Sequence, residues 1–294
     1  MVAQVINGLV LASIYVLFSL ALTLAWGMLD ILNLAHGSIA MFGAFTAFLV
    51  AQHTSLPLVA FIAISAVTGG VLAVLLDQIV FRAIRRRASS RGERELLTLI
   101  AGIGAGAIPL TYAQERTLSN PFGISSLQPT LYDIEGVKVS NFEITIVVLG
   151  VGLAVLMALW LRRSRWGRAL RALAFDRETC ALMGVNPNGL SGVTMFISGV
   201  LGGLSGILLM MYLSALDPDT GNDLLLKGFA IVILGGVGSI WGTLAAGFIL
   251  AAGETVVVVT TNGTWTDAVA FAIVMIVIII RPQGLLSQGK SVRA

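Results

Sequence analysis

Residues 162–185 read RRSRWGRALRALAFDRETCALMGV, the longest polar interruption in an otherwise apolar chain. Asp176 is a favoured N-cap residue, and Glu178 follows where the helix dipole favours an anion. Gly184 suits the position that ends a helix in left-handed backbone. The pattern predicts a helix of about two turns over residues 177–183. Because so short a helix is unstable alone in water, we expect neighbouring structure to brace it.

The second half of this predicted helix is apolar, since it contains Cys180, Ala181, Leu182 and Met183. These side chains would form a small apolar surface in a basic setting. Two interpretations stay open from the pattern alone. Either the helix packs on its own protein as an ordinary loop helix, or it offers this surface to another protein.

The composition of the chain indicates a membrane protein. Of its 294 residues, 57% are hydrophobic and 11% are charged, whereas a soluble domain has about 25% charged residues. Its apolar runs last for about twenty residues, so they predict membrane-spanning helices and not strands. The first run lacks a basic region before it, so we expect it to be retained as a span. The single cysteine, Cys180, excludes an intrachain disulfide.

We therefore predict an all-α, polytopic transmembrane helical bundle with about eight or nine membrane segments, some of them broken helices. It would form a single domain over residues 1–294, with a cytoplasmic coupling loop at about 162–190. The nine apolar segments are residues 5–26, 31–50, 58–81, 96–112, 142–161, 190–213, 224–234, 240–260 and 268–280. The seventh is short and is a candidate for half of a broken helix.

Charge placement tests this arrangement, because cytoplasmic loops of membrane proteins are rich in Lys and Arg. Strict alternation of the segments gathers 15 of the 18 Lys and Arg residues on one side, and leaves only Arg116, Lys138 and Lys227 on the other. The rule predicts a cytoplasmic C-terminus and an N-terminus outside. The outer side is acidic around Asp217, Asp219 and Asp223, and such a face is either merely solvated or meets a soluble partner or a cationic solute.

Two glycine-containing breaks interrupt the apolar segments, at residues 27–38 and 235–242. Non-helical backbone at membrane depth is tolerated where it is buried in protein or lines a watery path. Paired breaks in the two halves of a chain point to a transport path. The predicted path residues are Asn33, His36, Gly37, Ser38, Gly235, Gly236, Gly238 and Ser239. The alternative is close helix packing, which Gly199, Gly202, Gly203 and Gly206 suit well, as do Gly102, Gly104 and Gly106.

Ionisable residues within the spans are few. Asp77 lies near Arg82, where a simple ion pair would neutralise it, whereas Glu254 is costlier to bury. His36 is either a path residue or a buried histidine bonded to backbone, and we favour burial. A spaced Asp/Glu/His ladder is missing from the sequence, which argues against proton-driven transport. With two histidines there is little room for a metal or catalytic site, so we predict neither.

Residues 284–291 match the P-loop pattern GxxxxGK[ST]. A working P-loop follows a β-strand and opens a helix, whereas this match follows a membrane span. We treat the match as chance, expect Lys290 to lie near anionic headgroups, and predict that this chain does not hydrolyse ATP.

Several motifs in order resemble the LivH-type permeases, the inner-membrane subunits of branched-chain amino-acid ABC importers. They are NGLVLASIY (7–15), LAWG (24–27), NLAHG (33–37), GRALRALAFDRETCALMGVN (167–186), LGGVGSIWG (234–242) and RPQGL (281–285). The similarity covers nearly the whole chain. Glu178 and Gly184 keep the spacing of the family's Glu-Ala-Ala-x-x-x-Gly loop motif, with Thr179 and Cys180 in place of the two alanines.

The resemblance implies that the loop helix docks into a groove on a separate ATPase. It assigns coupling to Arg168, Arg171, Asp176, Arg177, Glu178, Thr179, Leu182, Met183 and Gly184. It implies a LivM-like second permease, two ATP-binding subunits, a periplasmic or lipid-anchored solute-binding protein and lipids as partners, in a bacterial inner membrane. ATP and magnesium would bind the ATPase subunits, while this chain would bind neither a cofactor nor nucleic acid.

The expected function is a translocation path for a hydrophobic, branched-chain amino acid or a related small solute. Segments five and six would act as a lever between the docked helix and the broken segments. Permeases of the same architecture for urea or amides, aromatic acids or ribose-type sugars remain alternatives. An ion-coupled secondary transporter is the alternative from another functional class.

Overall fold

The computed structural model describes residues 2–134, 137–261, 265–281 and 283–286. In this part of the chain the helices are α1 (Val2–Leu22), α2 (His36–Ala51), α3 (Leu58–Leu76), α4 (Arg82–Arg87), α5 (Arg91–Thr117), α6 (Asn141–Arg163), α7 (Arg165–Phe175), α8 (Arg177–Leu182), α9 (Pro187–Leu213), α10 (Thr220–Gly235), α11 (Ile240–Thr261) and α12 (Thr266–Ile280). Helix α1 continues as a π-helix over Thr23–Met28, and α3 continues as one over Asp77–Phe81.

The predicted all-α membrane fold is confirmed. Among the described residues, six helices are long and apolar enough to cross a membrane, and two shorter apolar helices accompany them. Each of the nine predicted segments is helical, although two boundaries were wrong. The second segment begins at His36, five residues later than expected, and the fourth begins at Arg91, because Ser90 caps it by accepting a hydrogen bond from the Glu93 amide.

A short hairpin between α5 and α6 was not predicted. Its strands are β1 (Leu131–Ile134) and β2 (Val137–Ser140), which pair antiparallel with Tyr132 opposite Val139. The hairpin ends directly at α6. There the Ser140 hydroxyl accepts from the Phe142 amide, and the Glu143 carboxylate accepts from the Ser140 amide at 2.6 Å. The hairpin therefore fixes where the sixth helix begins.

Helix α9 lies at the centre of the bundle, against α1, α2 and α3. Its glycines let neighbouring backbones approach closely. A Cβ atom on Gly199 would lie 2.2 Å from the Gly69 carbonyl oxygen, and one on Gly206 would lie 1.9 Å from that of Ala40. The close-packing interpretation of these glycines is confirmed, since side chains there would push the helices apart. Gly102 and Gly106 pack similarly against the segment before α2, whereas Gly104 faces open space.

Two short helices, α7 and α8, lie between the ends of α6 and α9. The Ser164 hydroxyl caps α7 by accepting from the Gly167 amide at 2.9 Å. The Asn186 side chain caps α9 by accepting from the amides of Asn188 and Gly189, and Pro187 occupies the first turn. The starts of α7 and α9 are therefore specified locally. Helix α8 connects to α9 through a short link and to α6 through α7.

Candidate functional site

The two glycine breaks meet backbone to backbone. A Cβ atom on Gly27 would lie 2.4 Å from the Cα atom of Gly238. At the start of the π-helix that continues α1, the hydroxyl oxygen of Thr23 lies 2.8 Å from that of Thr243. The π-helix that ends α1 is the element that contacts the second break. The fold thus brings together two breaks that are more than two hundred residues apart.

The first break is shorter than the sequence suggested. Asp30 adopts a left-handed backbone conformation at φ 60°, and α2 begins at His36. The Asn33 side chain accepts a hydrogen bond from the Ala35 amide at 3.0 Å, which turns the chain into α2. Gly37 and Ser38, predicted as part of the break, therefore lie in the first turn of α2.

The first turn of α2 crosses the first turn of α10. A Cβ atom on Gly37 would lie 2.1 Å from the Gly221 carbonyl oxygen, and one on Gly221 would lie 2.5 Å from the Gly37 carbonyl oxygen. The sequence analysis did not single out Gly221, because its neighbours, Asp217 to Asp223, indicate an acidic surface loop. Its only sequence signal is a glycine at the start of a short apolar segment.

The second break is a glycine loop, which we define as residues 236–239. Helix α10 ends at Gly235, Gly236 and Gly238 have φ values of 98° and 85°, and α11 begins at Ile240. Glycine adopts these angles without the steric cost that a Cβ atom brings. The Ser239 hydroxyl accepts from the Gly242 amide at 3.1 Å and so starts α11. The break is therefore shorter than the predicted 235–242: Gly236, Gly238 and Ser239 lie in the turn, whereas Gly235 is the last residue of α10 and residues 240–242 belong to α11.

His36 is completely buried, as we favoured from the sequence. Its ring centroid lies 5.2 Å from that of Phe18, and a Cβ atom on Gly202 would lie 3.1 Å from its Nε2. Within the described part of the chain neither ring nitrogen has a hydrogen-bond partner. The expected bond to backbone was therefore wrong: the histidine is held by packing alone.

A buried polar cluster joins three helices. The Lys227 Nζ of α10 lies 3.0 Å from the Glu254 Oε1 of α11, and it donates to the Tyr15 hydroxyl of α1 at 3.0 Å. The Tyr15 hydroxyl donates to the Glu254 Oε2 at 2.8 Å. The sequence analysis counted Lys227 among the few basic residues of the outer side and did not predict that its side chain pairs with the buried Glu254 carboxylate.

Asp77 is buried at the start of the second π-helix and forms an ion pair, as expected, but with a different residue. Its Oδ1 accepts from the Arg85 guanidinium at 2.7 Å, and Arg82 is not its partner. The π-helix changes the helical phase between Asp77 and α4. The pair fixes the end of α3 beside the basic residues of α4.

Helix α8 has the predicted caps. The Asp176 carboxylate accepts from the Thr179 amide at 3.2 Å and also from the Thr179 hydroxyl. At the other end Gly184 has φ 82°, its amide donates to the Ala181 carbonyl, and the Val185 amide donates to the Cys180 carbonyl. These bonds form a Schellman motif. The predicted helix is confirmed, one residue shorter than expected.

The exposed face of α8 differs from the predicted one. Leu182 and Met183 are 87% and 80% exposed, whereas Cys180 is buried against the protein. Phe175, the last residue of α7, is also 87% exposed and was missed. At that position, just before the N-cap, an apolar residue usually packs back onto its own helix. We define Phe175, Leu182 and Met183 as the α8 surface.

The arginines predicted for coupling form hydrogen bonds to other residues of this chain. The Arg171 guanidinium donates to the Leu161 carbonyl, and Arg168 donates to the Arg163 carbonyl at 3.2 Å, so both cap the end of α6. Arg177 donates to the Asn188 side chain at 3.2 Å. Burial, and then the nearby Arg85, lower the pKa of Arg177. The Glu178 side chain lies outside the described part of the chain.

The P-loop match does not resemble a nucleotide site in its described part. Gly284, Leu285 and Leu286 follow helix α12 and not a strand, and they pack against α10. The remaining residues of the match lie outside the described ranges. Among the residues described, no group of three His, Cys, Asp or Glu side chains could hold a metal ion.

Comparison with known proteins shows the family. The family described as "Branched-chain amino acid transport system / permease component" matches residues 4–279. The chain belongs to this permease family. The permease is 28% identical to the high-affinity branched-chain amino acid transport system permease protein BraD of Pseudomonas aeruginosa, over 97% of this chain and 95% of that one. It is 27% identical to LivH of Escherichia coli K12 over the same shares.

More distant similarities extend the comparison. The permease is 25% identical to the E. coli permease protein LivM, over 94% of this chain and 68% of LivM. Its fold resembles a chain of the solved structure "PsaBC from Streptococcus pneumoniae in complex with Fab", with a TM-score of 0.51 at 15% identity, covering 96% and 91% of the two chains. This permease is thus a multi-pass membrane protein with a transport role.

Proposed function

We propose that this permease is the LivH-like subunit of an ATP-binding-cassette importer, and that its solute is a branched-chain amino acid or a close hydrophobic relative. The named relatives support the solute class, because BraD and LivH are both permease proteins of branched-chain amino acid systems. The LivM similarity supports a second, related permease as partner. Two ATP-binding subunits and a solute-binding protein would complete the importer.

The α8 surface is the observation that carries this proposal. Burying a large apolar side chain yields about 1.5–3 kcal/mol, yet Phe175, Leu182 and Met183 are at least 80% exposed. The Asp176 cap and the Gly184 motif order the backbone of the short helix that carries Leu182 and Met183. A held but uncovered apolar surface beside basic residues suits an apolar groove on a partner subunit, here the ATPase.

The basic residues support an orientation. Those of α4 and of α6 to α8 lie at helix ends that strict alternation places together with the end of α12. Cytoplasmic loops are enriched in Lys and Arg. The proposal therefore has α8 and the C-terminus in the cytoplasm and the N-terminus outside, in a bacterial inner membrane.

In the proposed mechanism, closure of the ATPase pair moves α8, and α6 and α9 transmit the motion. Helix α9 is suited to this role because its backbone contacts α2 and α3 directly at its glycines, and Ser198 donates to the Ala21 carbonyl of α1 at 2.7 Å. Such packing leaves little room for deformation, so α9 would displace α1 and the glycine loop beyond it. The coupling requires that these contacts differ between two states.

The α8 surface can be tested with Leu182→Asp combined with Met183→Asp. The matched control, Leu182→Met with Met183→Leu, keeps the surface apolar at nearly constant volume. In the complete importer in proteoliposomes, we expect solute-stimulated ATP hydrolysis and uptake to fall at least tenfold in the aspartate variant only. Membrane levels of the chain should stay equal.

If solute-stimulated ATP hydrolysis in the aspartate variant equals that of the wild type, docking through α8 is refuted. Uptake that continues without any ATPase subunit would instead favour a secondary transporter.

A further inference from the structure

The carbonyl end of α10 is completed by a distant part of the chain. The last four carbonyl groups of a helix have no partner within it. In α10, the Gly236 amide serves two of them, at Val232 and Ile233, with distances of 3.0 and 3.2 Å. The other two are served from beyond α12, by the amides of residues 285 and 286.

These two bonds come from residues 284–286, which we call the C-terminal strap. The Leu285 amide donates to the Leu234 carbonyl at 2.8 Å, and the Leu286 amide donates to the Gly235 carbonyl at 3.2 Å. The Leu285 side chain packs against the core, while Leu286 is half exposed. A buried carbonyl group without a donor is destabilising, so the strap removes a cost that the broken helix would otherwise have.

Gly284 allows the strap to approach the glycine loop. It has φ 83°, and a Cβ atom there would lie 2.5 Å from both the Cα and the N atom of Gly236. The other side of the same loop contacts α1, where Gly238 meets Gly27. The loop is therefore held between the strap at Gly236 and the π-helix of α1 at Gly238.

We propose that the C-terminal strap is a positioning element of the translocation gate. It fixes the end of α10, and with it the contact between Gly238 and Gly27. The inference rests on the proposed function, because that function places the glycine loop on the solute path. The residues act through backbone bonds to α10 and do not contact solute.

The strap links the gate to the end of α12, which it follows directly in the chain. Without it, the two carbonyl groups at Leu234 and Gly235 would seek other donors, and the glycine loop would move independently of α8. ATP hydrolysis would then continue with little solute movement. A strap that matters only for folding would instead reduce the amount of assembled importer and leave the solute moved per ATP unchanged.

Two truncations of the full importer separate these roles. Ending the chain after Leu286 keeps the strap and is the matched control, whereas ending it after Gln283 removes the strap. In proteoliposomes with equal amounts of assembled complex, we expect the control to match the full chain. The shorter chain should move at least tenfold less solute per ATP hydrolysed.

A second pair of variants covers the case in which the shorter chain does not assemble. Gly284→Ala places a methyl group against Gly236 in a left-handed conformation, while Gln283→Ala changes an exposed neighbour. Hydrogen–deuterium exchange of residues 236–239 should rise at least tenfold in Gly284→Ala alone, since displacing the strap lets the end of α10 and the glycine loop open more often.

The exchange measurement does not depend on transport. If the wild-type importer takes up solute without ATP, the proposed function fails, and exchange still decides whether the strap positions the loop. Suppose instead that the wild-type importer requires ATP, while the Gly284→Ala variant keeps the wild-type exchange rates and moves as much solute per ATP. That result would refute the positioning role of the strap and leave the proposed function intact.

Discussion

Lys227 of α10 and Glu254 of α11 form an ion pair of 3.0 Å inside the membrane bundle. The glutamate side chain is 2% exposed and that of the lysine 19%. Tyr15 of α1 bonds to both, so the cluster joins the broken helix α10 to its two neighbours. Charges of this kind are costly within a bilayer unless they are paired. The cluster therefore fixes where α10 lies between α1 and α11.

Removing one partner of this pair should be costly. Glu254→Gln leaves the Lys227 charge without its carboxylate, and breaking a buried pair costs about 3–5 kcal/mol. We expect a lower thermal unfolding temperature in detergent and less folded protein in membranes. Glu254→Gln with Lys227→Met should recover much of the loss, whereas Asp223→Asn, an exposed change on the same helix, should have little effect. Equal stability of Glu254→Gln and the wild type would show that the pair is not a structural link.

Because the backbones of Gly27 and Gly238 are in contact, we expect that a side chain at position 27 is not tolerated. Gly27→Ala places a methyl group 2.4 Å from the Gly238 backbone, and overpacking of this kind costs about 1–3 kcal/mol. Gly152→Ala in α6 is the matched control, because nothing lies within 4 Å of its added methyl group. There we expect a gain of about 0.5–1 kcal/mol. Thermal unfolding of the two variants, side by side, should move in opposite directions, and a stable, active Gly27→Ala would contradict the contact.

The Asp77–Arg85 pair should matter far more than its exposed counterpart. The Asp77 and Arg85 side chains are 0% and 11% exposed, whereas those of Asp30 and Arg94, 3.4 Å apart, are 45% and 34% exposed. Asp77→Asn should cost several kcal/mol, about 3–5 for a buried pair, and Asp30→Asn about 0–1. Exchanging the charges, with Asp77→Arg and Arg85→Asp, should restore part of the stability. Similar losses for Asp77→Asn and Asp30→Asn would refute this ranking.

Cys180 is a built-in reporter of the α8 fold. It is the single cysteine of the chain and is buried. Asp176→Ala removes the N-cap, at a cost of about 1 kcal/mol, and should speed maleimide labelling of Cys180 roughly fivefold through local opening. Asp176→Ser keeps a capping oxygen and should label slowly.

The same thiol tests the orientation. After α8 has been opened by Asp176→Ala, a membrane-impermeant maleimide should reach Cys180 in inverted vesicles and not in intact cells. Labelling of intact cells would place α8 outside and remove the basis for docking to an ATPase.

Local features of the sequence were sufficient for the helices and for α8. Apolar runs of membrane length specify spans wherever they occur, because lipid leaves the backbone no other partner than itself. The caps at Asp176 and Gly184 act over a few residues, so their pattern can be read directly. The glycine breaks were found for the same reason, although their exact ends depended on Asn33 and on the π-helix before it.

The residues that join separate helices could not be read in this way. Tyr15 and Glu254 are 239 residues apart, and neither sequence neighbourhood marks the other as its partner. Lys227 follows an acidic loop and was counted on the outer side, Phe175 was not singled out, and the residues after α12 were read as a chance match to the P-loop pattern. Apolar length and local hydrogen bonding determined the spans and the loop helix. Only tertiary packing decided which glycines meet, which charges pair and which distant amides complete α10, because those contacts arise where separate helices cross.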